Sequence, residues 1–161
     1  MITASIPPTP YLDPDLSSLS AIIAAHMALE GPLLPILHAV QAEYGFIPQG
    51  AHGSIADALN ITRAELHGVI SFYHDFRHAP AGHHTLKLCR AEACQAMGAD
   101  GLAETILSTL GVDWHGTTAD GRVTVEPVYC LGLCACAPAA MVDGRVVGRA
   151  TKDALVAEVG Q

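Results

Sequence analysis

Positive charge is scarce in this chain. Its 161 residues hold 8 Lys and Arg against 16 Asp and Glu, a formal net charge of -8. No basic run occurs, which excludes the electrostatic footprint of a nucleic-acid-binding protein. Long hydrophobic runs are missing too. The longest, LSAIIAAHMAL, contains His26 and falls far short of the roughly 20 residues a membrane-spanning helix needs, so no direct membrane insertion is expected. The N-terminal stretch MITASIPPTPYLDPD has neither the basic nor the apolar region of a secretory signal, which places the chain in the cytoplasm. Internal repeats and low-complexity tracts are absent. So are G-x-G-x-x-G, a phosphate-binding glycine loop and any nucleophile–base pair, and these absences leave no visible catalytic site.

What is present suffices for folded structure, since half of the residues are apolar and few are charged. Residues 1–14 carry four prolines and little pattern and read as a loose tail. Helical periodicity then runs over residues 15–80. Asp15 is placed to cap a helix whose inward face holds Leu19, Ile22, Ile23 and Met27. Gly31-Pro32 starts a second helix with Leu33, Ile36, Leu37, Val40 and Tyr44 on one stripe, ended by GFIPQG. A short helix is expected around Ile55 to Leu59. Thr62 and Glu65 form a capping box for a helix bearing Leu66, Val69, Ile70, Tyr73 and Phe76. Within it His74 and His78 share a face, without an evident third metal ligand.

HAPAGHH, with Pro80 and Gly82, reads as a linker containing a solvated His83-His84, and the pattern changes after it. HTLKLC (84–89) alternates like a strand ending on Cys89. Residues 99–110 form a helix stopped by Gly111. RVTVEPVYC (122–130) is a second strand, again ending on a cysteine. AAMVDGRVVG (139–148) is a hairpin around Asp143-Gly144, and residues 151–159 form a last helix. The fold class is α+β: an N-terminal helical subdomain, 15–80, followed by a thioredoxin-like α/β domain, 81–161, by analogy of element order. Pro138 directly precedes the hairpin, where such folds often place a cis proline.

Three of the five cysteines crowd into CLGLCACAP (130–138). In a reducing compartment such crowding points to metal or redox chemistry before structural disulfides. Four thiols pair by spacing: Cys89 with Cys94 (C-x4-C), and Cys130 with Cys134 (C-x3-C). The two predicted strands, as neighbours, bring both pairs to one end of a sheet. A [2Fe–2S] cluster takes two sulfurs per iron, so two separated pairs suit it. A four-cysteine zinc site accepts similar spacings. A redox disulfide is the third possibility, although no C-x-x-C occurs. The plant-type ferredoxin spacing is also absent. Gly132 suits a loop that must take positive φ to point its amides at sulfur. Cys136 reads as a small apolar packing residue, or as a substitute ligand two residues from Cys134. Arg90, between two ligands, reads either as a charge that raises the cluster potential or as a surface arginine.

CRAEAC together with CLGLCACAP resembles the thioredoxin-like [2Fe–2S] ferredoxin family, which includes the small iron–sulfur subunit of NADH:quinone oxidoreductase and its counterparts in NAD-dependent hydrogenases and formate dehydrogenases. LLPILHAVQAEYGFIP resembles the family's helical lead and VISFYHDF its segment before the linker. The resemblance implies one [2Fe–2S] cluster per chain, held by Cys89, Cys94, Cys130 and Cys134. It implies an electron-transfer subunit with no catalytic residues of its own, whose partner is a flavin- and NAD-binding iron–sulfur subunit. YHDFRHAPAGHHTLKLCRAEACQAMG looks most like the gamma subunit of soluble NAD-dependent formate dehydrogenases. That finer likeness implies a molybdenum-containing, formate-oxidising subunit as a further partner.

Overall fold

The structure, a computed structural model, describes residues 15–160. The tail expected over residues 1–14 lies outside the described residues. The chain divides into two compact units, Met1–Pro80 and Ala81–Gln161.

The first unit holds four helices: α1 (Leu19–His26), α2 (Leu33–Tyr44), α3 (Ala51–Leu59) and α4 (Arg63–Phe72). Leu19, Ile23, Ile36, Leu37, Val40, Ile47, Ile55, Leu66, Ile70 and Phe76 form one buried cluster. Burying each such side chain contributes about 1.5–3 kcal/mol, several times what a helix cap supplies, so this shared stripe holds the helices together. The expected local signals operate at α4. The Thr62 hydroxyl accepts the Glu65 amide at 3.1 Å and the Glu65 carboxylate accepts the Thr62 amide at 2.8 Å. At the end of α2, Gly45 takes φ +80 and its N–H donates to Gln41 at 2.8 Å.

Four expectations change here. Asp15 does not cap α1. Its carboxylate accepts the amide and hydroxyl of Ser17, while Ser18 occupies the cap position and shares a hydrogen bond with the Tyr44 hydroxyl. Met27 stands exposed beyond the end of α1. Helix α3 starts at Ala51, before the expected Ile55, because Pro48 accepts the Ala51 amide and opens the first turn. Helix α4 stops at Phe72. The Gln41 side chain intercepts the following segment, donating to the Asp75 carbonyl at 2.7 Å and accepting the Arg77 amide at 2.8 Å. Tyr73 is therefore extended, and His74 and His78 share no helix face. Phe76 still reaches the core, against His38, whereas Phe72 and Tyr73 stay exposed as an edge-to-face pair.

The second unit contains β1 (His84–Cys89), α5 (Glu92–Ala96), α6 (Ala99–Leu110), β2 (Val123–Val128), β3 (Ala140–Val142), β4 (Arg145–Val147) and α7 (Lys152–Val159). The sheet order is β2-β1-β3-β4. β1 and β2 run parallel, with Cys89 opposite Val128, and the remaining pairs are antiparallel. Leu86, Leu88, Val123, Val125, Ala140 and Val142 pack with Ala103, Ile106, Leu155 and Val159 of the helices. This is the thioredoxin-like arrangement expected from element order. Among the described residues, no helix is long and apolar enough to cross a membrane.

Here the differences lie at the ends of elements. β2 stops at Val128 rather than Cys130: the Val128 carbonyl accepts the Arg90 amide, and Cys130 then turns the chain with φ +85. His84 is not linker. It opens β1, and its Nδ1 lies 2.7 Å from the Asp143 carboxylate. Asp143 and Gly144, with φ +49 and +84, form the expected turn. The Asp143 carboxylate also accepts the Thr85 amide at 2.8 Å, locking the hairpin onto the start of β1. The Ala137–Pro138 peptide bond is cis.

After β4 the chain runs back against the short 3-10 turn Cys134–Cys136. Arg149 N–H donates to the Cys136 carbonyl at 2.6 Å, and Ala150 N–H to that of Pro138 at 2.9 Å. A Cβ on Gly148 would stand 2.8 Å from the Cys136 Cβ and 3.2 Å from its carbonyl oxygen, so only glycine allows this approach. Gly148→Ala is expected to cost about 1–3 kcal/mol, as overpacking does. In urea the unfolding midpoint should fall at constant slope; an unchanged midpoint would refute the close contact.

Asp143 supplies a pH dependence. The His84 hydrogen bond and charge and the Thr85 amide hold its carboxyl below the usual carboxylate range, against a smaller opposing effect of burial. A depressed folded-state value means stability that is present above the ordinary pKa of about 4 and is lost as pH falls through the lower, folded value. Asp143→Asn keeps a residue tolerant of positive φ and removes the charge. Wild type should exceed this variant in stability near neutral pH, and the gap should close below about pH 4 in denaturant titrations at stepped pH. A gap independent of pH would exclude the charge as its cause.

Candidate functional site

The parallel pairing of β1 and β2 carries both chain segments to the same end of the sheet. Cys89 is the last residue of β1, and Cys94 sits on α5 directly after it. Cys130 follows β2 by two residues, and Cys134 opens the 3-10 turn. All five cysteines are free thiols. Cys89 and Cys94 are buried among Ala99, Ala137 and Ala139, with Ala91, Val128, Leu131 and Leu133 around them. Cys130 and Cys134 are exposed.

The sulfurs of Cys130 and Cys134 lie 3.8 Å apart. Two thiolates on one tetrahedral metal, each at about 2.3 Å, stand at about that separation. Cys89 and Cys94 are hydrogen-bonded to each other through their side chains. Cys134 is close enough for its charge to act on Cys94, and that of Cys89 on Cys134. The structure thus brings together all four residues read from spacing, as two neighbouring pairs. Among the described residues, no three His, Cys, Asp or Glu side chains converge as the ligands of a single metal ion. One pair spaced for one metal, with a second pair beside it, suits a binuclear cluster.

The electrostatics separate the sulfurs. Burial pushes the Cys89 thiol up. The Ala91, Cys130 and Leu131 amides and the Cys94 thiol donate to its sulfur and carry the net shift below the ordinary value. Cys94 is raised by burial first and then by its bond to Cys89. Cys134 is raised by its hydrogen bond to Cys130 and by the charge there. The amide of Gly132 donates to the Cys130 sulfur at 3.4 Å, with Gly132 at φ +77. Backbone amides thus point at sulfur in both pairs, as a cluster that gains negative charge on reduction requires.

The surroundings contain features that spacing does not reveal. Arg90 stacks on Trp114, 5.2 Å from the ring centre, and lies 3.6 Å from Asp100. Its guanidinium is held by α6 and the loop after it. Half-buried Cys136 packs beneath Gly148. Tyr129 and Met97, adjacent to the two cysteine loops, are 71% and 62% exposed. Five-residue α5 is too short for a periodic signal, and the amide donors have no side-chain signature; only Gly132 was detectable beforehand.

Among the histidines, His67 and His78 lie 6.3 Å apart. Burial and the charges of His67, His78 and Arg63 push His52 below its usual value.

Comparison with known proteins agrees with this geometry. The family model "Thioredoxin-like [2Fe-2S] ferredoxin" matches residues 19–160. The chain is 34% identical over 122 residues to NADP-reducing hydrogenase subunit HndA of Solidesulfovibrio fructosivorans, covering 76% of this chain and 71% of that one. It is 37% identical over 117 residues to an NADH-quinone oxidoreductase subunit of Pseudomonas aeruginosa, covering 73% and 70%. A crystal structure of an NAD+-reducing [NiFe]-hydrogenase superposes with a TM-score of 0.65 at 25% identity, over 80% of this chain and 22% of the hydrogenase chain. Family, fold and paired cysteines agree: the chain belongs to the thioredoxin-like [2Fe–2S] ferredoxin family, and its cofactor is a [2Fe–2S] cluster.

Proposed function

We propose that this chain is the [2Fe–2S] electron-transfer subunit of an NAD(P)-linked oxidoreductase complex, of the NADH-quinone oxidoreductase or NAD-reducing hydrogenase type. Cys89, Cys94, Cys130 and Cys134 are its cluster ligands. The observation that carries this reading is the meeting of the two cysteine pairs at one sheet end, one of them already at a metal-bridging separation.

When bound, the cluster supplies a one-electron carrier. The protein's own residues do the rest. Cys89 and Cys94 would hold the cluster from within an apolar shell. Cys130 and Cys134 would hold it from the surface. Amides directed at sulfur favour the added negative charge. No nucleotide- or substrate-binding motif is visible in the sequence, so the chain is read as exchanging electrons by contact, and a flavin- and NAD-binding subunit is the partner its relatives suggest. Exposed aromatics suit such contacts: Tyr129 stands beside the cysteines, and Phe72 and Tyr73 lie on the helical unit.

The relatives support this reading better than the formate dehydrogenase that residues 73–98 resemble. A formate-linked complex with a molybdenum subunit is the second reading, favoured by that stretch alone. Companion chains that co-purify with the native protein discriminate: quinone-linked membrane subunits, a hydrogenase subunit, or a molybdenum subunit.

Anaerobically purified protein should be brown, hold about two irons and two labile sulfides, and show one mixed-valence resonance after dithionite reduction. Alanine at Cys89, Cys94, Cys130 or Cys134 should abolish or cripple assembly, and Cys136→Ala should retain it. A colourless protein containing zinc and no sulfide would sink the proposal. Loss of the cluster in Cys136→Ala with retention in Cys134→Ala would reassign the fourth ligand.

A further inference from the structure

The loop after β2 does more than carry two thiols. Cys130 and Gly132 both adopt left-handed backbone, φ +85 and +77, with Leu131 between them. For cysteine this conformation costs about 1–2 kcal/mol, so the loop does not take it by default. Its consequence is a run of three successive amides directed at sulfur. The N–H groups of Cys130 and Leu131 point to Cys89, at the end of the neighbouring strand. The N–H of Gly132 points to Cys130 itself, at 3.4 Å. One tripeptide therefore addresses a sulfur of each cysteine pair.

We propose that Gly132 is a positioning residue for the redox centre: its left-handed backbone aims its own amide at the Cys130 sulfur, completing the run of amides at 130–132, and thereby raises the reduction potential. The inference rests on these cysteines being the cluster ligands. Each amide presents the positive end of a dipole to a sulfur that becomes more negative on reduction, so the reduced state gains more than the oxidised one. Nothing else constrains position 132. A Cβ there would meet no atom within 4 Å, so a side chain is excluded by conformation and not by space. Most L-residues resist positive φ, whereas asparagine tolerates it.

Open space lets substitution test the backbone in isolation. The full chain is prepared as wild type, Gly132→Ala and Gly132→Asn. Iron and sulfide are counted, and the midpoint potential is read by resonance-monitored redox titration. Alanine should shift the midpoint to more negative values, and asparagine should return it most of the way to wild type. Should alanine prevent assembly altogether, asparagine with a full cluster and a near-wild-type midpoint supports the same role. Equal midpoints in wild type and alanine, equal shifts in both variants, or loss of the cluster in both would each overturn it. A wild-type chain lacking about two irons and two sulfides would instead defeat the ligand assignment, and this inference with it.

Discussion

The parallel ladder between β1 and β2 is the contact on which the site depends. Each strand has six residues, paired from His84 with Val123 to Cys89 with Val128. At about 3.3 Å per residue, such a strand is about 20 Å long. Antiparallel pairing would leave the Cys89 and Cys130 loops at opposite ends of that length, too far apart to share any cofactor. Parallel pairing puts them side by side, and it requires a crossover connection. Helix α6 supplies it, burying Ala103 and Ile106 against the same leucines and valines that make the strands. The apolar alternation of β1 and β2 and the helical stripe of α6 are therefore as necessary to the site as the cysteines.

The two loops then divide the work. Loop 89–94 is rooted in the fold: Cys89 ends a central strand, Cys94 sits on a helical turn, and both are buried. Loop 130–134 is a surface loop held from behind, where Gly148, Arg149 and Ala150 press and hydrogen-bond onto Cys136 and Pro138. A buried thiol resists ionisation, because low-dielectric surroundings disfavour its charged form. The amides of residues 91, 130 and 131 counter that effect at Cys89. Burial fixes the thiol in place and amide donors keep it usable as a thiolate. The other pair stays exposed at the surface, beside Tyr129.

The sequence by itself determined the local elements and the candidate ligands. Strand HTLKLC, helix 99–110, the Thr62–Glu65 capping box and the Asp143-Gly144 turn depend on neighbours within a few residues, and each formed where its pattern placed it. Cysteine spacing marked the four thiols as two pairs but left a cluster, zinc and a disulfide open, because all three chemistries accept such spacings. Tertiary structure decided what depends on distant partners. Gln41 ended α4 from across the helical unit, so Tyr73 left the stripe while Phe76 kept its place in the core. Asp143 tied the hairpin to His84 and the Thr85 amide at the start of β1. The left-handed turn at Cys130 ended β2 early and aimed amides at sulfur. A periodic pattern records which residues prefer to be buried, but not which distant group will satisfy a given backbone amide or carbonyl. That assignment exists only once the chain has closed on itself.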